Sequence, residues 1–216
     1  QFYRSAEDPE PKILVGHKSW VSGVAFTNDH RIISVGTDQT MRLWQPTHDT
    51  PPITVQLPGP GSTLHVSAEG ARALVTTYGA GGDAQPPRRT KGPFAAQVWN
   101  TNDGSAITAP IPHESMILAA AISPDGETIA TCVAGSGSAR LWRAHNGQKI
   151  ATCANFGPNY GDALPQIAFS PDSTLCAIGM ATGTVRLYAA DSGSLLGIMH
   201  HSDAITSIAF SPNSKR

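Results

Sequence analysis

The sequence predicts an all-β protein built from a repeated unit of short antiparallel strands. Apolar residues with the period of an α-helix are missing along the chain. Gly and Pro supply 21 and 17 of its 216 residues, which favours many turns. The third observation is a strand-and-turn segment, in which alternating apolar residues lead into a turn rich in Pro, Asp, Asn, Gly and Ser. It recurs at residues 24–30, 64–70, 120–126, 167–173 and 208–214.

A second signature follows each of the first four segments. Apolar and polar residues alternate and end in an aromatic side chain, namely Trp44, Trp99, Trp142 or Tyr188. Between the two signatures a further strand is predicted, at residues 31–35, 71–77, 128–133 and 174–179. After the aromatic residue a polar turn leads to a fourth strand, predicted at residues 53–57, 106–110, 149–154 and 195–199. Four short strands in roughly 40 to 45 residues are typical of one blade of a β-propeller.

This period also predicts the organisation of the chain. Four repeats, at about residues 16–57, 58–110, 111–154 and 155–199, lie between partial blades at 1–15 and 200–216. Closed rings of such blades need roughly 300 residues. We therefore expect an incomplete ring segment, whose remaining blades come from the rest of the chain or from another subunit. Open strand edges would make the isolated segment aggregate or pair edge to edge.

The sequence resembles the WD-repeat family. The resemblance rests on the Gly16-His17 pair, on residues 34–44, and on the repeated Ser-Pro-Asp-Gly type of turn. It implies a buried polar network made of a His before the first strand, a Ser or Thr on the second, an Asp in the next turn and a Trp ending the third. The first repeat matches at His17, Ser34, Asp38 and Trp44. His113, Trp142 and His201 match single positions in later repeats.

The later repeats depart from this pattern. The Ser and Asp positions of the third repeat are aligned with Cys132 and Ser136, and those of the fourth with Ile178 and Thr182. Tyr160 stands at the His position of the fourth repeat. We expect these blades to be held more by apolar packing than by the network.

The Ser-His-Asp trio of the first repeat also resembles a hydrolase triad. Catalysis is disfavoured because Ser34 lies within a strand, with neither a nucleophile elbow nor an oxyanion hole in view. Most acidic residues fall in turns rather than in a central channel, and no common catalytic motif is present. The glycine-rich stretch at residues 79–84 opens no helix, so it predicts no nucleotide site. We expect no enzyme activity, no cofactor and no metal.

The net charge and the cysteines limit which classes of partner and which cellular compartment are expected. A net charge of −1 gives no field that would attract nucleic acid or an anionic membrane. The longest apolar runs have the length of strands, so no membrane-spanning helix is predicted. Cys132, Cys153 and Cys176 lack the spacing of a metal or redox motif, which favours buried thiols in a reducing compartment such as the cytoplasm.

Two surface features are candidates for binding a protein partner. A loop insertion of the second repeat at residues 79–95 carries Arg88, Arg89 and Lys91. It is either a solvated loop or a basic finger that meets an acidic partner. Trp20 in the entry loop of the first repeat is either an exposed binding residue or a ring packed on the next blade. Tyr160 is a weaker candidate of the same kind.

The function predicted from these features is a non-catalytic scaffold for protein–protein interactions. The step from fold to function is an analogy with the family. An alternative is the sensor or regulatory propeller of a larger protein, fused for example to a protein kinase or an NTPase. A propeller enzyme would need a cluster of catalytic side chains in the channel.

Overall fold

The computed structural model describes residues 13–47, 50–79, 93–135, 138–153 and 164–213. Its strands form four separate antiparallel sheets of four strands each, and the described residues contain no helix. Blade 1 consists of β1 (Val21–Phe26), β2 (Ile32–Gly36), β3 (Thr40–Trp44) and β4 (Ile53–Gln56). Blade 2 consists of β5 (Gly61–Val66), β6 (Arg72–Thr77), β7 (Phe94–Asn100) and β8 (Ile111–His113). Blade 3 consists of β9 (Ile117–Ile122), β10 (Thr128–Val133), β11 (Ala139–Arg143) and β12 (Lys149–Cys153). Blade 4 consists of β13 (Gln166–Phe169), β14 (Leu175–Gly179), β15 (Thr184–Ala189) and β16 (Leu195–His200).

The blades adjoin in chain order through their first strands. Strand β1 contacts β5, β5 contacts β9, and β9 contacts β13. This is the arrangement of propeller blades around an axis, and the four sheets do not close into a ring. The prediction of an all-β propeller present as an incomplete ring is therefore confirmed for the described residues.

The turns between first and second strands form a hydrogen-bonded belt along one rim. The side-chain amide of Asn28 donates to the carbonyl of Ala68 at 2.7 Å, and the backbone N–H of Ala68 donates to the carbonyl of Pro124 at 2.9 Å. The backbone N–H of Asp125 donates to the hydroxyl of Ser173 at 3.0 Å, which links blade 3 to blade 4. Equivalent turns of adjacent blades thus hold one another in register.

Apolar side chains on the first strand of each blade pack on the sheet of the blade before it. Leu64 and Val66 of β5 pack against blade 1, and Ile167 and Phe169 of β13 pack against blade 3. The equivalent side chains of β1, Val24 and Phe26, are 59% and 71% exposed. The sheet face of blade 1 that bears them is therefore open. Strand β16 also carries exposed apolar side chains, namely Leu195, Leu196, Ile198 and Met199. Edge-to-edge association of the segment stays a prediction.

One predicted strand of the second repeat is displaced. The fourth strand was predicted at residues 106–110, but β8 is formed by Ile111–His113. Ala106 makes only an isolated β-bridge to Trp99. The backbone N–H groups of Ile107 and Thr108 both donate hydrogen bonds to the carbonyl of Val98. This irregularity uses extra residues before the ladder resumes, so the prediction for 106–110 was wrong.

The last predicted strand also differs. The segment around residue 208 was predicted as the first strand of a further blade, but residues 201–213 contain no strand. Ile208 and Phe210 nevertheless pack on Ala177 and Val185 of blade 4. The first strand of a blade forms its backbone hydrogen bonds with the second strand. No described residue forms a second strand beside this segment.

Candidate functional site

In blade 1 the structure brings His17, Ser34, Asp38 and Trp44 into one hydrogen-bonded chain. His17 Nδ1 lies 3.0 and 3.1 Å from the two carboxylate oxygens of Asp38. His17 Nε2 lies 2.7 Å from Ser34 Oγ, and Trp44 Nε1 lies 2.8 Å from the same hydroxyl oxygen. The chain joins the entry loop to the second and third strands, which is the clamp that the sequence predicts for the first repeat.

Donors and acceptors fix the proton positions in this network. A carboxylate can only accept, so Nδ1 of His17 carries the proton and donates to Asp38. Nε2 then accepts from the Ser34 hydroxyl, whose oxygen accepts from the indole of Trp44. Burial alone would raise the pKa of Asp38. Hydrogen bonds from the Lys18 N–H, the Thr40 hydroxyl and His17 outweigh burial and hold that pKa below its usual value.

Blade 3 has its own version of the network, with Thr131 in the hydroxyl position. Thr131 Oγ1 lies 2.9 Å from Nε2 of His113 and 3.0 Å from Nε1 of Trp142. Nδ1 of His113 donates to the carbonyl of Ile111 at 2.9 Å, so a backbone oxygen takes the part that the Asp38 carboxylate has in blade 1. Burial lowers the pKa of His113 and favours its neutral form.

The alignment of Cys132 with Ser34 was therefore wrong by one residue. Ser34 pairs with Arg42 across the ladder, and the residue that pairs with Arg140 is Thr131. Seven residues separate Ser34 from its partner Arg42, but eight separate Thr131 from its partner Arg140, which shifts any count made back from the tryptophan by one residue. The alternation of strand faces gives the correct residue, because Cys132 points into the opposite core. Ser136 lies outside the described residues.

Blade 2 replaces the network with apolar side chains. Val75 pairs with Gln97 as Ser34 pairs with Arg42, and Leu57 stands nine residues before Val66 as His17 stands nine before Phe26. Leu57, Val75 and Trp99 are all buried in one core cluster. Trp99 Nε1 is buried and has no hydrogen-bond partner.

Blade 4 and the last segment lack a complete network among the described residues. Ile178 pairs with Arg186 and so takes the place of Ser34, as the sequence predicts. Thr182 is exposed in the following turn. His201 is also exposed, and its backbone N–H donates a hydrogen bond to the carbonyl of Gly183. Tyr160 lies outside the described residues.

The geometry around Ser34 suits structure rather than nucleophilic attack. Its side chain is buried, and its hydroxyl is enclosed between the imidazole of His17 and the indole of Trp44. A substrate carbonyl would have to displace the indole to approach the oxygen. The trio that resembles a catalytic triad is thus a set of core contacts.

Trp20 lies on a different part of the surface, at the rim that carries the entry loops. Its side chain is 60% exposed. It borders a groove of about 220 Å³ that is also lined by Thr37 of blade 1 and by Gly61 and Tyr78 of blade 2. Two aromatic residues and several small ones, contributed by two adjacent blades, line this groove. It offers a shallow slot for an apolar side chain.

The basic loop of the second repeat begins beside this groove. Tyr78 follows the end of β6, and the chain returns at β7. Arg88, Arg89 and Lys91 lie outside the described residues, as does most of the 79–95 insertion. Their part in binding stays a prediction.

The three cysteines meet in one apolar core between blades 3 and 4. Cys132, Cys153 and Cys176 are buried free thiols of the same cluster. Burial raises the pKa of Cys153 to about 11 and raises the pKa of the other two as well. Within the described ranges no group of His, Cys, Asp or Glu side chains has the arrangement of a metal site. None of the described segments is a helix that is long and apolar enough to cross a membrane.

Comparisons with known proteins agree with this architecture. The family model described as WD domain, G-beta repeat matches residues 10–45, 106–143 and 193–216. Serine-threonine kinase receptor-associated protein of Gallus gallus is 26% identical over 90% of this chain and 49% of its own length. Eukaryotic translation initiation factor 3 subunit I of Pyricularia oryzae is 29% identical over 48% of this chain and 29% of its own length. Meiotic recombination protein rec14 of Schizosaccharomyces pombe is 31% identical over 54% of this chain and 38% of its own length.

The chain spans about half the length of the curated relatives that match most of it. The repeated four-stranded sheets, the His-Ser-Asp-Trp network of blade 1 and the three matched segments together show that the chain contains WD repeats.

Proposed function

We propose that the chain is a rigid scaffold that binds a protein partner on the rim carrying Trp20. The observation that carries this proposal is the exposure of Trp20 beside the groove that it forms with Tyr78. Large exposed aromatic side chains next to small residues are typical of the centres of protein interfaces. The relatives' names, which refer to a receptor-associated protein and a subunit of a translation factor, support the same general role.

The basic loop adds a proposal about charge. Arg88, Arg89 and Lys91 follow Tyr78 in the sequence, within the insertion at residues 79–95, and are proposed to contact the same partner. A partner with an acidic region next to an apolar anchor fits both features. Tyr160 is proposed as a further contact.

Partner recovery from cells tests both parts. We expect Trp20→Ala to reduce recovery of native partners by roughly tenfold or more, because hot-spot aromatics contribute about 2 kcal/mol or more. Arg88→Glu with Arg89→Glu should reduce recovery most at low salt. The matched control is Trp99→Phe, which alters a buried tryptophan far from solvent. Unchanged recovery in both surface variants would exclude this rim as the main interaction surface.

A second candidate function is the regulatory propeller of a larger protein. The full reading frame tests it, because a kinase or NTPase domain in the same frame is required. The free thiols of Cys132, Cys153 and Cys176 support placing the protein in a reducing compartment such as the cytoplasm. Fractionation of cells that express the tagged protein tests that proposal.

A further inference from the structure

The groove beside Trp20 has two aromatic residues that the repeat itself does not require. The carbonyl of Trp20 accepts a hydrogen bond from the N–H of Thr37, and in blade 2 the carbonyl of Pro60 accepts from the N–H of Tyr78. Trp20 and Pro60 are therefore equivalent entry-loop residues, and Thr37 and Tyr78 are equivalent residues after the second strand. Blade 3 has Ala134 in the latter position. The pair Trp20 and Tyr78 thus corresponds to Pro60 and Ala134 at the next junction, where neither residue is aromatic.

The groove lies between two blades whose four strands are all described, so it is not a sheet face that a neighbouring blade would cover. Its volume of about 220 Å³ is below the roughly 300 Å³ at which pockets for drug-sized ligands begin. An α-helix is about 10 to 12 Å across, which is too wide for such a groove. A few side chains of a peptide segment that crosses the rim are therefore the best fit.

The groove is uncharged, and its small residues have few free donors. None of the seven lining residues carries a charge, so an ionised side chain would lose hydration there without meeting an opposite charge. The hydroxyl of Thr37 donates to Ser19 Oγ, and the hydroxyl of Ser22 donates to the carbonyl of Gly61, both at 2.8 Å. The backbone N–H groups of Thr37 and Tyr78 are also engaged, so neither pairs with an added β-strand.

The two aromatic side chains supply the remaining donors. The indole N–H of Trp20 and the phenol O–H of Tyr78 have no hydrogen-bond partner among the described residues. Proline has no backbone N–H and contributes only a carbonyl acceptor. A proline segment therefore offers acceptors to these two donors and apolar rings to the aromatic side chains.

The conformation of proline segments suits the same groove. Consecutive prolines adopt the polyproline II helix, which has no internal hydrogen bonds and needs no backbone partner. A segment held in this conformation loses little entropy on binding. Grooves lined by aromatic residues take such segments in several classes of recognition domain. The aromatic pair, the absence of charge and the remaining donors all match this mode of recognition.

We propose that the groove binds a proline-containing segment of the partner protein in the polyproline II conformation. The rings of Trp20 and Tyr78 contact proline rings, and their polar hydrogens donate to carbonyl groups of the segment. The proposal rests on the scaffold function, because it names the chemistry of the partner at the same site. Partner recovery tests the scaffold function and a synthetic probe tests the proline class, so their failures are distinguishable.

The test uses the whole 216-residue chain and an end-labelled decamer of L-proline. The matched control is a decamer of N-methylglycine, which also lacks N–H donors but has no pyrrolidine ring. In fluorescence anisotropy the proline decamer should bind at least roughly tenfold more tightly than the control. An unlabelled proline decamer should also protect Trp20 from acrylamide quenching. This signal is specific, because Trp44, Trp99 and Trp142 are buried.

Variants of the two aromatic residues locate the binding. Trp20→Ala and Tyr78→Ala should each weaken binding of the proline decamer roughly tenfold or more. Trp20→Phe and Tyr78→Phe keep an aromatic ring but lose the donor, so each should weaken it by roughly threefold. Trp20 is exposed, so its two variants keep the test decisive if a Tyr78 variant does not fold.

Met116→Ala is the matched control. Met116 is the blade 3 equivalent of Trp20, because its carbonyl accepts from the N–H of Ala134, and its side chain is also exposed. It does not line the groove. Met116→Ala should leave the affinity for the proline decamer unchanged.

Three results would overturn the proposal. Equal binding of the two decamers, or wild-type affinity in Trp20→Ala, would show that the groove does not select proline. If Trp20→Ala still reduced partner recovery, the scaffold function would stand with a partner of different chemistry. The third result is stronger acrylamide quenching of Trp20 when Pro86→Ala and Pro87→Ala are combined in the peptide-free protein. It would show that the chain's own proline pair occupies the groove.

Discussion

The buried indole nitrogen of Trp99 lacks a hydrogen-bond acceptor because Val75 stands where the first and third blades place a hydroxyl. In blade 1 the hydroxyl of Ser34 accepts from Trp44, and in blade 3 the hydroxyl of Thr131 accepts from Trp142. The three tryptophans are equally buried, at 6%, 6% and 9% exposure for Trp44, Trp99 and Trp142. They therefore form a comparable set in which Trp44 and Trp142 donate a hydrogen bond and Trp99 does not.

This set gives the first prediction. Trp→Phe removes similar volume at each position, but it breaks a hydrogen bond in blades 1 and 3 and removes an unsatisfied donor in blade 2. We expect Trp44→Phe and Trp142→Phe to cost about 1 kcal/mol more than Trp99→Phe. Urea denaturation of the three variants measures the difference. Equal losses at all three positions would mean that the hydroxyl contacts contribute nothing net to stability.

The Asp38 carboxylate should be the most sensitive member of the blade 1 network. It accepts from His17, from the backbone N–H of Lys18 and from the Thr40 hydroxyl. Asp38→Ala should cost about 2 kcal/mol or more, because these donors lose their acceptor in the interior. Thr182→Ala, at the equivalent turn of blade 4, is the control and should cost less than about 1 kcal/mol. Similar midpoints for the two variants in a denaturant melt would contradict this ranking.

Stability should fall in mild acid because of His113. Burial lowers its pKa below the ordinary 6.5, so the unfolded chain takes up a proton at a higher pH than the folded chain does. The contribution of neutral His113 is complete above about pH 6.5 and declines as the pH falls below that value. Burial lowers the pKa of His65 in the same direction.

The measurement is the urea midpoint between pH 8 and pH 5.5. His113→Gln should flatten its pH dependence, and combining it with His65→Gln should flatten it further. Asp38 stays ionised throughout this window, because its pKa lies below the ordinary 3.8. A wild-type slope in the double variant would show that neither histidine is responsible.

Three described non-glycine residues, His30, Gln39 and Ser173, lie in the left-handed region of backbone conformation. His30 and Ser173 occupy equivalent turns of blades 1 and 4, and these two turns differ in one contact. His30 and Ser173 both have φ of 63°. Glycine adopts this conformation without strain, so His30→Gly should stabilise the protein by about 0.5 to 1 kcal/mol. Ser173→Gly relieves the same strain but also loses the hydrogen bond from the Asp125 N–H. It should therefore gain less, and thermal melts of the two variants compare them directly. A larger gain at residue 173 would contradict this account.

The sequence predicts those structural features that recur from one repeat to the next. Apolar and polar residues alternate along each strand, and this pattern recurs in every repeat. For that reason β10 was predicted at its observed bounds, and each residue of the blade 1 network was identified. Thr131 was missed because one extra residue before its partner Arg140 shifts the count, and β8 was misplaced because the chain bulges at Val98. Neither irregularity has a signature in composition or period.

Contacts between residues that are far apart in the sequence could not be predicted from the repeated pattern either. Nothing in the local pattern indicates that Trp20 and Tyr78 border one groove. Nor does it indicate that Arg140 has an ion pair, with Glu114, whereas Arg42 has none with a described residue. The first follows from the packing of two blades, and the second from a comparison of two registers. Both observations depend on the pairing of the strands, which only the structure shows.

A photo-crosslinking amino acid in place of Trp20, in the protein expressed in its own cells, tests the scaffold function most directly. Glu69, exposed in a turn of the opposite rim, is the control position. The scaffold account predicts one discrete crosslinked partner at position 20, lost when Tyr78→Ala is added and absent at position 69. No crosslinked product at position 20, or the same products at both positions, would contradict it.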